Sequence, residues 1–459
     1  MANNISLRAR VCLKNRNQRA TVLLPVRIVG SFLTARCGDA RNDPPRAQPK
    51  SLAALHFRFF RQTLIRVFAL LALVAGSIST VWGGSRVVAW GAGTFVSNPA
   101  DYNDYGQSIV PTDLTNAVQV AGSWRVSLAL LPNGTVSGWG VDYFGQTNLL
   151  VTSNYVAIAC GRQHSLALES NGLVQAAGDD TYGQIDIPTN LTRVAAVAGG
   201  FYHSLVLQAN RTVAAWGTST NSSLYGSDNV SYGQAVVPPG LSNVVAIAAG
   251  GFHNLVLKSD GSLLAWGLND SGQTNIPSGL SNVVAIAAGA GHNLVLNGNG
   301  TVSAWGQNLY GQATVPPGLS NVVAIACGGW HSLALKRDGT VVGWGAVSTN
   351  KLIACGQAKV PAGLTNVVQV AGGAVHSLAL VGSAPPVTQA VLSAPMRGTN
   401  GFSVKLAATR NGRVYQLEFK NSLTDAAWQS LPLQAGTGGS LSFVDPTNTS
   451  QRYYRVVQW

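Results

Sequence analysis

The chain has 459 residues, of which 46% are hydrophobic and only 10% are charged. This combination excludes general disorder, and 52 glycines without a G-X-Y period exclude a collagen-like fibre. Five cysteines in a chain of this length exclude a small disulfide scaffold.

The net charge of +13 is concentrated at the N-terminus. Residues 1–84 hold 13 Lys and Arg against 2 acidic residues, whereas residues 85–459 hold 17 against 15. Nucleic-acid-binding domains present a basic surface. Because the part after residue 84 lacks a basic excess, we expect no nucleic-acid partner.

The N-terminal segment predicts export. An apolar run over 64–75 follows Arg58 and Arg61, and small residues follow the run. This order is typical of a secretory signal. We therefore interpret residues 64–84 as a signal peptide and residues 1–63 as a basic extension, whose composition suggests that translation starts later, at a non-Met codon. An uncleaved membrane anchor and a mitochondrial-type transit peptide are the alternatives. We expect the protein in the periplasm, at the cell surface or outside the cell.

Three sequence markers recur in phase, about every 39 residues, from residue 85 to residue 383. A Gly-Gln pair begins at Gly106, Gly145, Gly183, Gly233, Gly272, Gly311 and Gly356. A Trp-Gly pair begins at Trp90, Trp139, Trp216, Trp266, Trp305 and Trp344, with Ala177 in the remaining slot. A His before Ser-Leu or Asn-Leu stands at His164, His203, His253, His292, His331 and His376, with Val126 in the remaining slot. The markers therefore define seven repeats.

Each repeat predicts four β-strands. The VVAIA and HSLAL runs and the run ending in Trp-Gly have strand length, and GQxxVP is predicted as a short fourth strand ended by Pro. Asn-Gly or Asp-Gly pairs such as Asp260-Gly261 predict tight hairpins in which both central residues have positive φ. Four strands in each of seven repeats predict an all-β, seven-bladed propeller.

The ends of the repeat region predict how the ring closes. The region begins with a third strand at 86–91 and ends with a second strand at 376–380. We expect these strands to share one blade, because that pairing removes the open edge of the ring.

The parity of the hairpins places two sets of variable loops at one end of the blades. We call this end the top face; it carries the turns before the His marker and the loops before the Gly-Gln pair. Aromatic residues and Arg on variable loops of a rigid scaffold are typical of a binding surface. The candidate binding residues are Trp124, Arg125, Arg162, Phe201, Tyr202, Phe252, Trp330, Tyr105, Tyr143, Phe144, Tyr182, Tyr232 and Tyr310.

The repeated His and Trp residues are interpreted as structural. A catalytic base is needed once, whereas this His recurs, so we expect buried imidazoles that hold backbone groups through their ring nitrogens. The Trp side chains are expected to pack between blades. Carboxylate pairs that could serve a glycosidase are the alternative, and they are Asp101 with Asp104 and Asp179 with Asp180. We expect no catalytic residue, no cofactor and no metal.

The repeats resemble those of the regulator-of-chromosome-condensation (RCC1) family. The matching stretches are AWG-N-x-x-GQ, VVAIAxG and HSLALxxDGTV, over about Arg86–Val381. The short repeat is more similar to a secreted bacterial branch than to the longer eukaryotic repeats. The resemblance implies a seven-bladed propeller that binds other proteins. Members of the family include an exchange factor for the GTPase Ran and secreted inhibitors of β-lactamase.

Residues 384–459 predict a small β-sandwich-like domain. The runs FSVKLAA, RVYQLEFKNS, SLSFVD and RYYRVVQW have strand length. Tyr415, Leu417 and Phe419 alternate along one run, which predicts a single buried face. The pattern resembles C-terminal modules of secreted bacterial proteins, and a spacer role, surface retention, sorting and glycan contact stay open.

The sequence as a whole therefore predicts an exported, non-catalytic binding or scaffold protein that recognises another protein. A carbohydrate-active or glycan-binding propeller is the alternative. A guanine-nucleotide exchange factor is less favoured, because it requires cytosolic residence. Membrane contact is expected only through the signal segment, if it is not cleaved.

Overall fold

The computed structural model describes the repeat region and the C-terminal module. The described residues are 13–15, 18–20, 85–93, 105–149, 154–218, 231–346, 355–382, 392–398, 401–407, 409, 413–422, 424–425, 427–437, 439–447 and 452–458. The regular elements of these residues are β-strands, and none of these residues forms a helix that could cross a membrane. The predictions for 1–63 and 64–84 lie outside them, apart from a hairpin of Leu13–Asn15 with Gln18–Ala20.

Seven antiparallel, three-stranded sheets form the blades of the propeller. We number blades 1 to 6 in chain order, and blade 7 closes the ring. The strands of blades 1 to 3 are Gln119–Gly122, Val126–Leu130, Val136–Gly140; Tyr155–Cys160, His164–Glu169, Val174–Gly178; and Val194–Gly199, His203–Gln208, Val213–Gly217. The strands of blades 4 to 6 are Val244–Ala249, His253–Lys258, Leu263–Gly267; Val283–Ala288, His292–Asn297, Val302–Gly306; and Val322–Cys327, His331–Lys336, Val341–Gly345.

Blade 7 combines strands from both ends of the repeat region. Val367–Gly372 pairs with His376–Val381, and the latter pairs with Arg86–Gly91. Blade 7 also meets blade 1, because the Gln369 side chain accepts a hydrogen bond of 3.1 Å from the Val120 amide. The predicted closure is confirmed.

The Gly-Gln segments do not form the predicted fourth strand. The Gln184 side-chain oxygen accepts a hydrogen bond of 2.8 Å from the Tyr182 amide, and Gly183 has a φ of 73°. This bond folds the segment into a tight turn, which only a residue without Cβ accommodates easily. The described blades therefore have three strands, and the fourth-strand prediction was wrong because the Gln side chain closes a turn.

The hairpins at the opposite end also differ from the prediction. Gly261 has a φ of 83°, but Asp260 is outside the positive-φ region. The Asp260 carboxylate accepts hydrogen bonds of 2.9 Å and 2.6 Å from the Ser262 amide and hydroxyl. These bonds hold a three-residue loop with one left-handed position instead of two.

The core of the propeller lies between adjacent blades. Trp216 of blade 3, for example, packs with Leu166 and Leu168 of blade 2. Burying such a side chain contributes about 1.5–3 kcal/mol. Blade 2 has Ala177 in the Trp slot. The buried side chain of Tyr155 packs in the same hydrophobic cluster as Ala177. An aromatic side chain is therefore kept between blades 1 and 2, on a different strand.

The C-terminal module consists of two sheets. One contains Leu392–Gly398, Gly401–Leu406 and Leu441–Asp445; the other contains Val414–Lys420, Gln429–Ser430, Gln434–Ala435 and Tyr453–Gln458. Leu406 and Phe443 of the first sheet share a core with Tyr415 and Leu417 of the second. The module is therefore a small β-sandwich.

The strand Val414–Lys420 is buried on both faces. Glu418 is 4% exposed and forms a salt bridge of 2.9 Å with Arg337, which lies in the hairpin of blade 6. The Leu433 amide donates a hydrogen bond of 2.9 Å to the Gly298 carbonyl in the hairpin of blade 5. The prediction of one buried face was wrong because the propeller covers the second face. The module packs against the end of the propeller opposite to the top face.

Candidate protein-binding face

The strand register brings both sets of variable loops to the same end of each blade. In blade 3, His203 pairs with Gly217, and the Thr218 amide donates a hydrogen bond of 2.9 Å to the Tyr202 carbonyl. The turn before the His and the loop before Gly-Gln therefore begin side by side, as hairpin parity predicts.

Backbone hydrogen bonds between blades hold the turns of the top face. The Phe201 amide donates to the Gly251 carbonyl at 3.0 Å, and the Arg162 amide donates to the Gly200 carbonyl at 3.1 Å. The Ala374 amide donates to the Ser123 carbonyl at 2.9 Å across the closing joint. Side chains on these turns are thus carried by a rigid backbone.

The three sequence markers meet at the joint between neighbouring blades. At the joint of blades 5 and 6, His292 Nε2 lies 3.0 Å from the Ser332 hydroxyl. Ser332 donates to the Gln312 carbonyl at 2.8 Å, and Trp344 Nε1 donates to the same carbonyl at 3.0 Å. The sequence predicts backbone partners for the His side chains, but their Nε2 atoms bond Ser or Asn side chains of the next blade. The other pairs are His164–Ser204, His203–Asn254, His253–Asn293, His331–Ser377 and His376–Ser127.

Each of these imidazoles is fully buried. Burial lowers the pKa of His292 to about 3, so the ring is neutral near pH 7. A Cβ on Gly289 would lie 2.4 Å from His292 Cε1, which explains why Gly stands three residues before each His. Blade 1 has Ser123 and Val126 in these two slots instead. The arrangement fits a structural role.

The six structural Trp residues occupy matching positions. Their indole Nε1 atoms all donate to a Gln carbonyl that precedes the blade, at 2.8–3.1 Å. They are Trp90, Trp139, Trp216, Trp266, Trp305 and Trp344.

Seven rings among the described residues of the top face form one connected group, which we call the aromatic cluster. Its members are Trp124, Tyr182, Phe201, Tyr202, Tyr232, Phe252 and Trp330. The Trp124 ring lies 5.7 Å from both the Phe201 and the Trp330 rings, with edge-to-face geometry. Phe201 lies 5.3 Å from Phe252, also edge to face. These geometries are the favourable ones for aromatic pairs, and they bring together residues far apart in the chain.

A second group lies beside blade 1. Arg125 is 4.2 Å from the centre of the Tyr105 ring, and Tyr105 is 6.4 Å from Tyr143. Tyr143 is 72% exposed. Phe144 is exposed and Tyr310 is half-buried, and within the described residues neither ring contacts another aromatic ring. The candidate residues thus fall into two groups and two separate side chains.

Arg162 lies within the aromatic cluster. Its guanidinium carbon is 4.5 Å from the Trp124 ring centre and 5.3 Å from that of Tyr202, and it donates a hydrogen bond to the Tyr202 hydroxyl. Cation–π contacts of this kind contribute about 0.5–2 kcal/mol. Below these rings, a cavity of about 130 Å³ is lined by small residues such as Gly161, Ala249 and Cys327.

The carboxylates proposed as a glycosidase pair do not form an open site in blade 2. Asp179 is buried, and its two oxygens accept hydrogen bonds from Thr181 and Gln184 of its own loop. Asp101 and Asp104 lie outside the described residues. Within the part that the structure describes, no group of three or more His, Cys, Asp or Glu side chains could hold a metal.

Two further joint-forming residues were missed in the sequence. Gln119 bonds both the amide (3.1 Å) and the carbonyl (2.9 Å) of Ile158 across blades 1 and 2. Gln369 does the same for Val120 across blades 7 and 1, at 3.1 Å and 3.3 Å. Their signal was present, since Gln replaces Ala of the VVAIA run in these two repeats alone.

Comparison with known proteins agrees with this geometry. A family model described as the regulator of chromosome condensation (RCC1) repeat matches residues 155–184, 244–273, 283–312 and 322–357. No curated protein sequence matches the chain significantly.

Among solved structures, the chain is similar in fold to Prp20p from Saccharomyces cerevisiae, with a TM-score of 0.52 and 20% identity over 66% of this chain and 93% of that chain. It is also similar to yeast RCC1 (Prp20) bound by Kap60, with a TM-score of 0.51 and 22% identity over 65% of this chain and 89% of that chain. Four segments of the chain therefore match the RCC1 repeat, and its seven blades share the propeller fold of RCC1.

Proposed function

We propose that this chain is an exported, non-catalytic protein that recognises another protein through its top face. The observation that carries the proposal is the aromatic cluster, which joins rings from blades 1, 2, 3, 4 and 6 around Arg162. Aromatic and Arg side chains are the residues that most often dominate protein–protein binding energy.

Rigidity of the top face supports the same function. The turns that carry Trp124, Phe201 and Trp330 are held by hydrogen bonds between blades. A surface whose backbone is already ordered loses less conformational entropy when it binds a partner.

The structural neighbours support protein binding as a use of this fold. The structure of Prp20p was reported with its binding to Gsp1p and histones, and the second neighbour was solved bound to Kap60. At this identity only the fold is shared, so we propose a protein partner and transfer none of these partners to the chain.

Export is proposed from the apolar run over 64–75, with a secreted bacterial origin as the setting. An exchange factor would need a cytosolic partner, which export would prevent. The glycan-related alternative has less support, because the Asp179 oxygens are engaged in their own loop.

A comparative pull-down tests the proposal. The full chain and a variant with Trp124, Phe201, Tyr202 and Trp330 changed to Ala are incubated with secreted and envelope proteins of the source organism. A control variant, Leu173→Ala, removes a side chain that is 60% exposed at the opposite end of blade 2. We expect a partner that the chain and the control capture and the fourfold variant loses, with thermal unfolding confirming that all three are folded. A partner retained equally by the folded fourfold variant would exclude the top face.

A further inference from the structure

Arg162 carries a positive charge that the described residues leave without a carboxylate partner. Its side chain is half-buried, and among the described residues it forms one hydrogen bond, to the Tyr202 hydroxyl. The salt bridges of the described residues do not include Arg162. A guanidinium has five N–H donors in a planar fork, and within the described residues the Tyr202 hydroxyl accepts from one of those of Arg162.

The described charges nearest to Arg162 form no salt bridge with it. Asp179 is engaged by Thr181 and Gln184 in its own loop. Burial lowers the pKa of Arg162, and the positive charge of Arg125 lowers it further, whereas Tyr182 and Asp179 act in the opposite direction. Burial and the charge of Arg125 thus disfavour the charged form of Arg162 in the free protein. A bound anion would stabilise that charged form.

The backbone of Arg162 is fixed by both neighbouring blades. Its amide donates to the Gly200 carbonyl at 3.1 Å, and its carbonyl accepts a hydrogen bond of 2.8 Å from the Ser123 hydroxyl. The Trp124, Phe201 and Tyr202 rings surround the guanidinium at 4.5–5.7 Å. Such a preorganised guanidinium can bind a carboxylate through two parallel hydrogen bonds.

We propose that Arg162 is the specificity-determining residue of the top face and binds an Asp or Glu side chain of the partner protein, next to an apolar residue that packs on the aromatic cluster. This inference rests on the proposed function and names the chemistry of the partner.

A protein ligand is favoured over a nucleic acid or another polyanion. Residues 85–385 contain 10 Lys and Arg against 12 acidic residues. A polyanion needs a continuous basic track, which this composition does not offer. The rings beside Arg162 instead fit an apolar side chain.

Selection from a random peptide library displayed on phage tests the inference. The full chain is the bait, and enriched peptides are synthesised in matched forms with each Asp or Glu changed to Asn or Gln. Binding is measured for the wild type, Arg162→Gln, Arg162→Lys and the fourfold variant of the aromatic cluster. The control is Arg193→Gln, which removes the same charge from an exposed residue that precedes the first strand of blade 3. Heparin serves as a polyanion probe.

We expect enriched peptides with an acidic residue near an apolar one, and an affinity at least about tenfold higher for the acidic form than for its amide form. Arg162→Gln should abolish this preference, Arg162→Lys should retain part of it, and Arg193→Gln should leave it unchanged.

Each other outcome is decisive. Peptides that require the aromatic cluster but show no acid preference would overturn the role of Arg162 and leave the proposed function standing. The absence of peptides that require the cluster would overturn both. Heparin binding that is lost in Arg162→Gln, without peptide binding, would replace the protein ligand by a polyanion.

Discussion

The joint between blades 5 and 6 and the joint between blades 1 and 2 are held together in different ways. In the first, His292 bonds the Ser332 hydroxyl, and Ser332 and Trp344 both donate to the Gln312 carbonyl. The second has Val126 and Ala177 in the His and Trp slots.

Other bonds replace the missing ones at the joint of blades 1 and 2. The Ser123 hydroxyl donates to the Gly161 and Arg162 carbonyls, each at 2.8 Å, and Gln119 bonds both backbone groups of Ile158. The same joint carries Arg162 at the top face. The comparison indicates that the repeat departs from its own pattern where the candidate binding residue is held.

We call the six joints that contain a repeated His the regular joints, and the joint of blades 1 and 2, which has Val126 in that slot, the irregular joint. Acid should destabilise the protein through its regular joints. Burial lowers the pKa of the six repeated His residues to about 3 or 4, against about 6.5 in an unfolded chain. The unfolded chain therefore binds more protons below pH 6.5, and stability that is constant above that pH is lost as the pH falls towards 4. The six residues together contribute on the order of 8 kcal/mol per pH unit.

Urea unfolding between pH 7.5 and pH 4.5 measures this loss. We expect the protein to unfold before pH 4.5 is reached, and His292→Val to take up about one proton fewer on unfolding. Stability that stays constant down to pH 5 would show that the imidazoles are not buried as described.

Gly289→Ala should damage the regular joint far more than Ser123→Ala damages the irregular one. A Cβ at 289 would lie 2.4 Å from His292 Cε1 and 2.5 Å from the Gly328 carbonyl oxygen, so we expect a loss of about 3 kcal/mol. Ser123→Ala removes only hydroxyl hydrogen bonds and should cost about 1 kcal/mol. Thermal unfolding of both variants gives the order, and equal losses would contradict the packing of glycine against imidazole.

The Ser and Val that blade 1 has in the Gly and His slots can be introduced at positions 289 and 292 of blade 5. His292→Val removes the bond to Ser332 and should cost about 2 kcal/mol. Adding Gly289→Ser reproduces the pair Ser123 and Val126, and we expect it to recover about 1 kcal/mol, whereas Gly289→Ser alone should destabilise. A double-mutant cycle measures the coupling. If the stability losses of Gly289→Ser and His292→Val simply add in the double variant, the residues in the Gly and His slots do not stabilise each other.

Gln119→Ala should have the smallest effect, about 0.5 kcal/mol, because solvent in the adjoining cavity of about 680 Å³ can replace its hydrogen bonds. Hydrogen exchange of the Ile158 amide should become faster, while that of Ile286 in blade 5 should be unchanged. Unaltered protection of Ile158 would exclude the role assigned to Gln119.

Periodicity was sufficient to predict the blades and the closure of the ring. Strand runs, Gly positions and the matching ends of the repeat are local properties of the chain, so they can be read without coordinates. The fourth strand and the turn type were not predictable, because they depend on where the side chains of Gln184 and Asp260 find hydrogen-bond partners.

The candidate site was predictable as a set of residues but not as an arrangement. Trp124 and Trp330 are 206 positions apart in the chain, and only ring closure brings them to 5.7 Å. The pairing of each repeated His with the next blade was hidden for the same reason, although a Ser or Asn follows each of the six His residues of the repeats. Burial of Glu418 depends on how the C-terminal module packs, which no local pattern encodes.

The shared strands of blade 7 affect when the protein can finish folding during synthesis. Arg86–Gly91 leaves the ribosome early, but its partner His376–Val381 is made nearly 300 residues later. Until then the growing polypeptide has unpaired strand edges, which favour aggregation and chaperone binding. If the apolar run over 64–75 directs export as proposed, a translocation machinery would receive a chain that cannot yet have sealed its ring.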